Sequence, residues 1–121
     1  MYEYEYSDGD YSYTGTIVFL SDNTFSMSQS ETTEGNTLSL IVCSGTYEGD
    51  PASDGKFTLK RTKELDIDES LEEDLSKPEK WKDIKQPELK ELPADKQQEE
   101  TMTVSGGGKK LSNEYTEFTR K

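Results

Sequence analysis

The sequence predicts an all-β fold, in which an antiparallel meander closes into a barrel or a half-open barrel and carries a charged, partly helical insertion. Apolar residues recur with a period of two from the N-terminus to about residue 62, which is the spacing of β-strands. Glycine and Asx turn signals separate these runs at intervals typical of hairpins. Residues 63–100 differ, because their few apolar side chains follow a helical spacing between charges and prolines.

The period-two runs predict the strands in chain order. They cover residues 2–6, 11–20, 24–30, 37–43, 44–48, 56–62, 100–105 and 110–119. Between them lie the turn signals "SDGD" (7–10), "SDN" (21–23), "EGN" (34–36), "EGDPASDG" (48–55) and "SGGG" (105–108). The run "TIVFL" is apolar on both faces of the pleat, which favours a strand covered on both sides.

We expect a single domain over residues 1–121, with residues 63–100 as an insertion in it. The insertion holds three of the four prolines, 14 acidic residues and 7 basic residues. Its apolar residues Ile67, Leu71 and Leu75 recur every four positions, which predicts a short helix capped by Asp66. Pro78 precedes Trp81 and Ile84 and favours a second helical turn, and the stretch after Pro87 is expected to be a solvated linker.

Composition excludes several classes of function. Only 29% of the residues are hydrophobic and the mean hydropathy is -0.99, so the core must be small. The net charge of -12 argues against nucleic-acid binding through phosphate neutralisation. No apolar run approaches the ~20 residues that span a bilayer, so we expect no transmembrane segment. We also expect a monomer.

The sequence offers little for catalysis or metal binding. It contains no histidine, so Ser-His and Cys-His nucleophilic systems are excluded, and we expect a non-enzyme without a cofactor. The stretch "DIDES" (66–70) resembles the start of a calcium loop but lacks the glycine and glutamate that such a loop needs, so a helix cap is favoured. Asp8 and Asp10 are attributed to turn chemistry, and no metal site is predicted. Cys43, the single cysteine, is expected to be a small buried hydrophobe.

The N-terminal hairpin "MYEYEYSDGDYSY" places tyrosines on one pleat face and glutamates on the other. The tyrosine face should point inward, where it either packs the core or forms an aromatic wall that contacts a ligand. The candidate ligand contacts are Tyr4, Tyr6, Tyr11 and Tyr13. Because the whole inward set is bulky, we expect at most a shallow cleft near this hairpin.

The hairpins "SGTYEG" with "DGKFTLKR" and the closing "TMTVSGGGKKLSNEYTEFTRK" resemble the small lipocalin-like, calycin-type barrels of bacterial extracytoplasmic lipoproteins. Where that family usually carries Gly-X-Trp, this chain has Gly15-Thr16-Ile17. The resemblance implies a secreted or surface-anchored binding module, periplasmic or on the cell surface, with a small hydrophobic ligand. An alternative hypothesis is a protein-interaction domain, whose acidic insertion docks a basic protein surface through Trp81, Ile84 and Leu89.

Overall fold

The structure is a computed structural model that describes residues 2–8 and 13–121. Strands account for 54% of it. They are β1 (Tyr2–Asp8), β2 (Tyr13–Phe19), β3 (Thr24–Thr33), β4 (Asn36–Glu48), β5 (Gly55–Glu64), β6 (Lys90–Glu91), β7 (Gln98–Ser105), β8 (Lys110–Ser112) and β9 (Glu117–Arg120). One α-helix, α1 (Glu69–Leu75), and two 3-10 helices, Pro78–Asp83 and Ala94–Lys96, lie between β5 and β7.

Eight of the strands form a closed antiparallel barrel in the order β1-β2-β3-β4-β5-β7-β8-β9. The ring closes where β9 pairs with β1 through Tyr4 opposite Arg120 and Glu5 opposite Thr119. The short β6 continues the line of β7 beside the last two residues of β5. The predicted all-β meander is therefore confirmed, and it closes.

Two predicted strand boundaries are wrong. Residues 37–43 and 44–48 belong to one strand, β4, which has a register shift between Ser44 and Gly45 instead of a turn. Residues 110–119 form two strands joined by a tight turn, in which the Asn113 side-chain oxygen accepts hydrogen bonds from the amides of Tyr115 and Thr116 at 2.8 and 2.7 Å. This turn contains neither glycine nor proline, and the Asx residue Asn113 is the turn signal that marks it.

One end of the barrel, which we call the filled end, is packed with aromatic rings. Phe19 contacts Tyr47 and Phe57 edge to face, with ring centroids 5.2 and 5.5 Å apart. The Tyr47 hydroxyl donates a hydrogen bond to the Leu20 carbonyl oxygen at 2.6 Å, which satisfies its one polar group. Edge-to-face contacts of this kind add to the stability that burial of the rings provides.

The loops at the filled end are tied to each other and to the core. The Asp54 carboxylate accepts hydrogen bonds from the amides of Gly107 and Gly108 at 3.2 and 2.9 Å, which joins the β4–β5 loop to the β7–β8 loop. The Tyr4 hydroxyl donates to the Pro51 carbonyl oxygen at 2.5 Å, and the Gly108 carbonyl oxygen lies 3.1 Å from it. These bonds close the filled end.

The segment between β5 and β7 contains both predicted helical turns, and it also has regular structure after Pro87, where a solvated linker was predicted. Helix α1 is capped by Asp68, whose Oδ1 accepts a hydrogen bond from the Leu71 amide at 2.8 Å, and not by Asp66. The predicted second helical turn is present as the 3-10 helix from Pro78. After Pro87 the chain forms β6 and the second 3-10 helix before β7 begins. Within the described residues, no helix has the length and apolar character needed to cross a membrane.

Candidate functional site

The end of the barrel opposite the filled end, which we call the mouth, contains a cavity of about 540 Å³. Strands β3, β5 and β7 and the β8–β9 turn surround it. Its lining residues are Phe25, Met27, Leu59, Arg61, Gln98, Glu99, Glu100, Thr101, Asn113, Glu114 and Tyr115. This cavity is separate from the shallow cleft expected near the tyrosine hairpin, since its lining includes no described residue of that hairpin.

Strand pairing explains how the lining changes along the barrel axis. On β5 and β7 the inward pairs run from Phe57 with Met102 near the filled end to Leu59 with Glu100 at the cavity. The next inward pair is Arg61 with Gln98. Because side chains alternate across a strand, one face of each strand supplies both the apolar floor and the charged rim.

Two polar contacts position the charged groups of the mouth. The Arg61 guanidinium lies 3.2 Å from the Glu64 carboxylate, three residues ahead on the same strand. The Asn113 amide donates a hydrogen bond to Glu100 Oε1 at 2.6 Å and thereby connects the β8–β9 turn to β7. The mouth is therefore a set of oriented charges above an apolar floor of Phe25, Met27 and Leu59.

Cys43 is buried on β4, as the sequence predicted. Burial raises the pKa of its thiol, and the nearby Arg61 guanidinium acts in the opposite direction. A thiol kept protonated is a weak nucleophile, so this environment favours an inert packing role.

A second, smaller cavity of about 180 Å³ adjoins the first along β3, where Met27 lines the larger space and Gln29 the smaller one. Tyr13 and the apolar side chains of β4 form one wall. The other wall comes from the segment between β5 and β7. The apolar lining residues are Tyr13, Leu38, Leu40, Val42, Leu65, Ile67, Leu75 and Trp81.

We call residues 65–89, which cover this part of the mouth, the cap. Trp81 is its anchor, because its side chain is only 5% exposed and its indole nitrogen donates a hydrogen bond to the Leu75 carbonyl oxygen at 3.0 Å. Farther along, the Gln86 side chain bonds to the backbone of Ile41 on β4. The cap is thus attached to the barrel by the buried Trp81 side chain and by the hydrogen bonds between Gln86 and Ile41.

The structure separates the predicted tyrosine contacts. Tyr4 is fully buried below the cavities, and burial raises the pKa of its phenol. Tyr6 lies over Gly15 and packs edge to face on Phe118, with ring centroids 5.3 Å apart. Tyr13 lines the smaller cavity, and Tyr11 lies outside the described residues.

The three residues predicted to contact a partner also differ in their surroundings. Trp81 faces the smaller cavity, whereas Ile84 and Leu89 remain partly exposed. Tyr13 and Trp81, which belonged to competing hypotheses, meet at the same cavity. No sequence pattern predicted that they would line one cavity, because this depends on where the cap folds back over the barrel.

The charged residues of the larger cavity were not predicted. The period-two pattern could have found Arg61, since it continues the inward face of Phe57 and Leu59. The same pattern marks Glu100 beside Met102. Asn113 and Tyr115 carry no such signal because they lie in a turn predicted to be a strand.

The described residues include no group of three or more His, Cys, Asp or Glu side chains that could hold a metal ion. Comparison of the chain with protein-family models, curated proteins and solved structures found no match. The mouth of the barrel, with its two cavities and its cap, is therefore assigned as the candidate site on its geometry alone.

Proposed function

We propose that this protein is a non-catalytic binding module of the lipocalin-like type, which holds a small ligand in the mouth of its barrel. The cavity of about 540 Å³ above Phe25, Met27 and Leu59 carries this proposal. Ligand sites typically occupy ~300–1,000 Å³ and combine an apolar lining with a few oriented polar groups. An eight-stranded barrel has an interior of the right size for one small ligand.

The asymmetry of the barrel supports a carrier. The filled end supplies rigidity through its aromatic packing and its tied loops, while the mouth keeps open volume. Lipocalins are up-and-down barrels with this strand number. The lipocalin-like sequence pattern also supports a secreted or surface-anchored location, which remains part of the proposal.

Binding is favoured over catalysis by the chemistry of the lining. The chain has no histidine, so the common nucleophile–base pairs are absent. The charged groups of the mouth are engaged in contacts that orient them, as in Arg61 with Glu64 and Glu100 with Asn113. Such groups suit the orientation of a ligand above an apolar floor.

In the alternative hypothesis, the protein is an interaction domain whose insertion docks a basic partner protein. We favour a role as a cap, because Trp81 is buried within the chain and helps to form the smaller cavity. In that role the insertion restricts access to the mouth and adds apolar surface beside the ligand.

A neutral probe tests the proposed function. Titration of the isotope-labelled protein with 1-naphthalenemethanol, followed by amide NMR shifts, should perturb residues around Phe25, Met27 and Leu59. Met27→Trp should abolish these shifts, because the larger side chain fills the cavity from its floor. If that variant does not fold, Gln98→Trp fills the cavity from its exposed wall.

Lys60→Trp is the matched control, since Lys60 is exposed and neighbours the cavity strands on their outer face. It adds the same side chain without filling the cavity, so binding should persist. Shifts confined to residues outside the mouth, or equal binding by the filled variant and the control, would overturn the proposed site.

A further inference from the structure

We infer that the ligand of the larger cavity is an organic cation with an apolar body. This inference rests on the proposed function and adds the charge of the ligand. The cavity and its apolar floor define the site, and the charges of its rim define which ligand charge the site prefers. The lining contains the carboxylates of Glu100, on the inward face of β7, and of Glu114, in the β8–β9 turn, and a single cationic side chain, Arg61.

The one positive group is already paired. The Arg61 guanidinium lies 3.2 Å from Glu64, so much of its attraction for an anionic ligand is offset within the protein. A negative ligand would also approach the carboxylates of the rim, and like charges brought together at a binding site are unfavourable. The ion pair between Arg61 and Glu64 therefore removes the main reason to expect an anionic ligand.

Glu100 is the residue best placed to contact the positive group. Its inward position on β7 follows from pairing with Leu59, which puts it directly beside the apolar floor. The side-chain nitrogen of Asn113 donates a hydrogen bond to Glu100 Oε1 at 2.6 Å and occupies only one of the several acceptor sites of this carboxylate. A carboxylate oriented in this way needs little reorganisation when a cation arrives.

Tyr115 adds a second feature that favours a cation. Its side chain is 89% exposed although it lines the cavity, so its ring is available at the rim. The face of a tyrosine ring attracts ammonium and guanidinium groups. The net charge of -12 acts at longer range and raises the local concentration of cations around the whole protein.

An organic cation fits better than a metal ion. Phe25, Met27 and Leu59 supply a floor that packs against an apolar body but offers no hard oxygen ligand. The described residues also lack a cluster of three or more carboxylate, thiol or imidazole groups close enough to hold a metal. The cavity therefore matches a ligand whose charge and apolar body are covalently joined.

Three probes with the same ring system test the inference: the cation 1-naphthylmethylamine, the neutral 1-naphthalenemethanol and the anion 1-naphthylacetate. Calorimetry at neutral pH and low salt should show that the cation binds about tenfold or more tightly than the anion, with the neutral probe between them. Added salt should narrow this difference, because it screens exposed charges.

Charge-neutralising variants locate the effect. Glu100→Gln and Glu114→Gln should each lower the affinity for the cation several-fold and leave the affinity for the neutral probe nearly unchanged. Glu48→Gln is the matched control, since this exposed residue at the filled end carries the same charge and lies far from the mouth. It should change the affinity for the cation very little.

The outcomes distinguish this inference from the proposed function. If the neutral probe perturbs the cavity but the anion binds as tightly as the cation, the inference is wrong and the binding module stands. If Glu48→Gln weakens the cation as much as Glu100→Gln, only the overall charge matters and the assignment of Glu100 is wrong. If none of the three probes perturbs the cavity, the proposed function itself fails.

Discussion

The side-chain amide of Gln86 bonds to Ile41 as a neighbouring strand would. The Ile41 amide donates to Gln86 Oε1 at 2.7 Å, and Gln86 Nε2 donates to the Ile41 carbonyl oxygen at 3.1 Å. Ile41 lies beyond the last residue of β4 that pairs with β5, which is Cys43. One side chain from the cap thus covers part of the open edge of β4.

Replacing Gln86 should expose this edge. In Gln86→Ala, the Ile41 amide loses its acceptor, and we expect its hydrogen exchange to speed up by about fivefold, as the loss of a hydrogen bond worth ~1 kcal/mol implies. Exchange measured by NMR checks this directly. Lys85→Ala is the control, since it changes the adjacent exposed residue. An equal acceleration of exchange in that variant would show that the Gln86 hydrogen bonds do not protect the Ile41 amide.

Tyr4→Phe should destabilise the barrel by ~1–3 kcal/mol, because the buried Pro51 carbonyl oxygen would lose its hydrogen-bond donor. Urea unfolding gives the change in free energy. Tyr115→Phe removes the same hydroxyl from a side chain that is 89% exposed, and it should cost almost nothing. Equal losses in the two variants would mean that the tie between Tyr4 and the filled end does not contribute to stability.

The stability of the protein should fall at alkaline pH. Burial is the main reason that the pKa values of Tyr4, Tyr13 and Tyr47 are raised in the folded state. A phenol in the unfolded chain ionises near pH ~10, so these groups contribute full stability below that pH. As the pH rises from about 10 toward the folded-state values, the unfolded chain loses protons first and this contribution disappears.

Tyr47→Phe isolates one of these three phenols. The free energy of unfolding in urea, measured from pH 9 to 11.5, should decrease less steeply in this variant, by up to about 1.4 kcal/mol per pH unit. The variant should also be less stable at neutral pH, because it loses the bond to the Leu20 carbonyl oxygen. Parallel curves for the two proteins would rule out a contribution from the Tyr47 phenol.

Trp81→Ala should loosen the cap while the barrel stays folded. Trp81 is the single tryptophan of the chain, and its loss removes a large buried contact between the cap and the mouth. Brief trypsin treatment should then cut faster at Lys80, Lys82 and Lys85, as followed by mass spectrometry. Ile67→Ala is the control, because Ile67 lines the same cavity but is 51% exposed, and it should change the cleavage rate little.

The barrel was predictable because alternation is a local property of each strand. Phe57 and Leu59 on β5, like Met102 and Val104 on β7, lie two apart, and both pairs are buried. Antiparallel pairing of neighbouring strands then follows from the short turns. The contact of β9 with β1 joins the two ends of the chain, and no local pattern distinguished a closed barrel from a half-open one.

The site was less predictable because its residues come together only in three dimensions. Glu100 and Asn113 lie 13 positions apart, and their contact depends on a turn that has no glycine or proline. Trp81 was recognised as unusual, yet its burial depends on the path by which the cap returns to β4. Periodicity shows which face a side chain takes, but it does not show what lies across the barrel.

Gly45 supports the last prediction, because β5 leaves no room for a side chain at this position of β4. A Cβ atom added at this position would lie 1.9 Å from the Lys60 carbonyl oxygen, and that atom belongs to the backbone, so a rotamer change cannot relieve the contact. The register shift between Ser44 and Gly45 occurs at the same point, which explains how β4 runs through a position predicted as a strand boundary.

Gly45→Ala should therefore lower the free energy of unfolding by about 3 kcal/mol or more, the upper part of the range for overpacking, because β4 and β5 must separate at this position. Urea unfolding measures the loss, and amide exchange on β5 shows whether the β4–β5 pairing has weakened. Thr46→Ala is the control, since Thr46 is the exposed neighbour of Gly45 on the same strand. If Gly45→Ala is as stable as Thr46→Ala, the two strands do not approach as closely as the register requires.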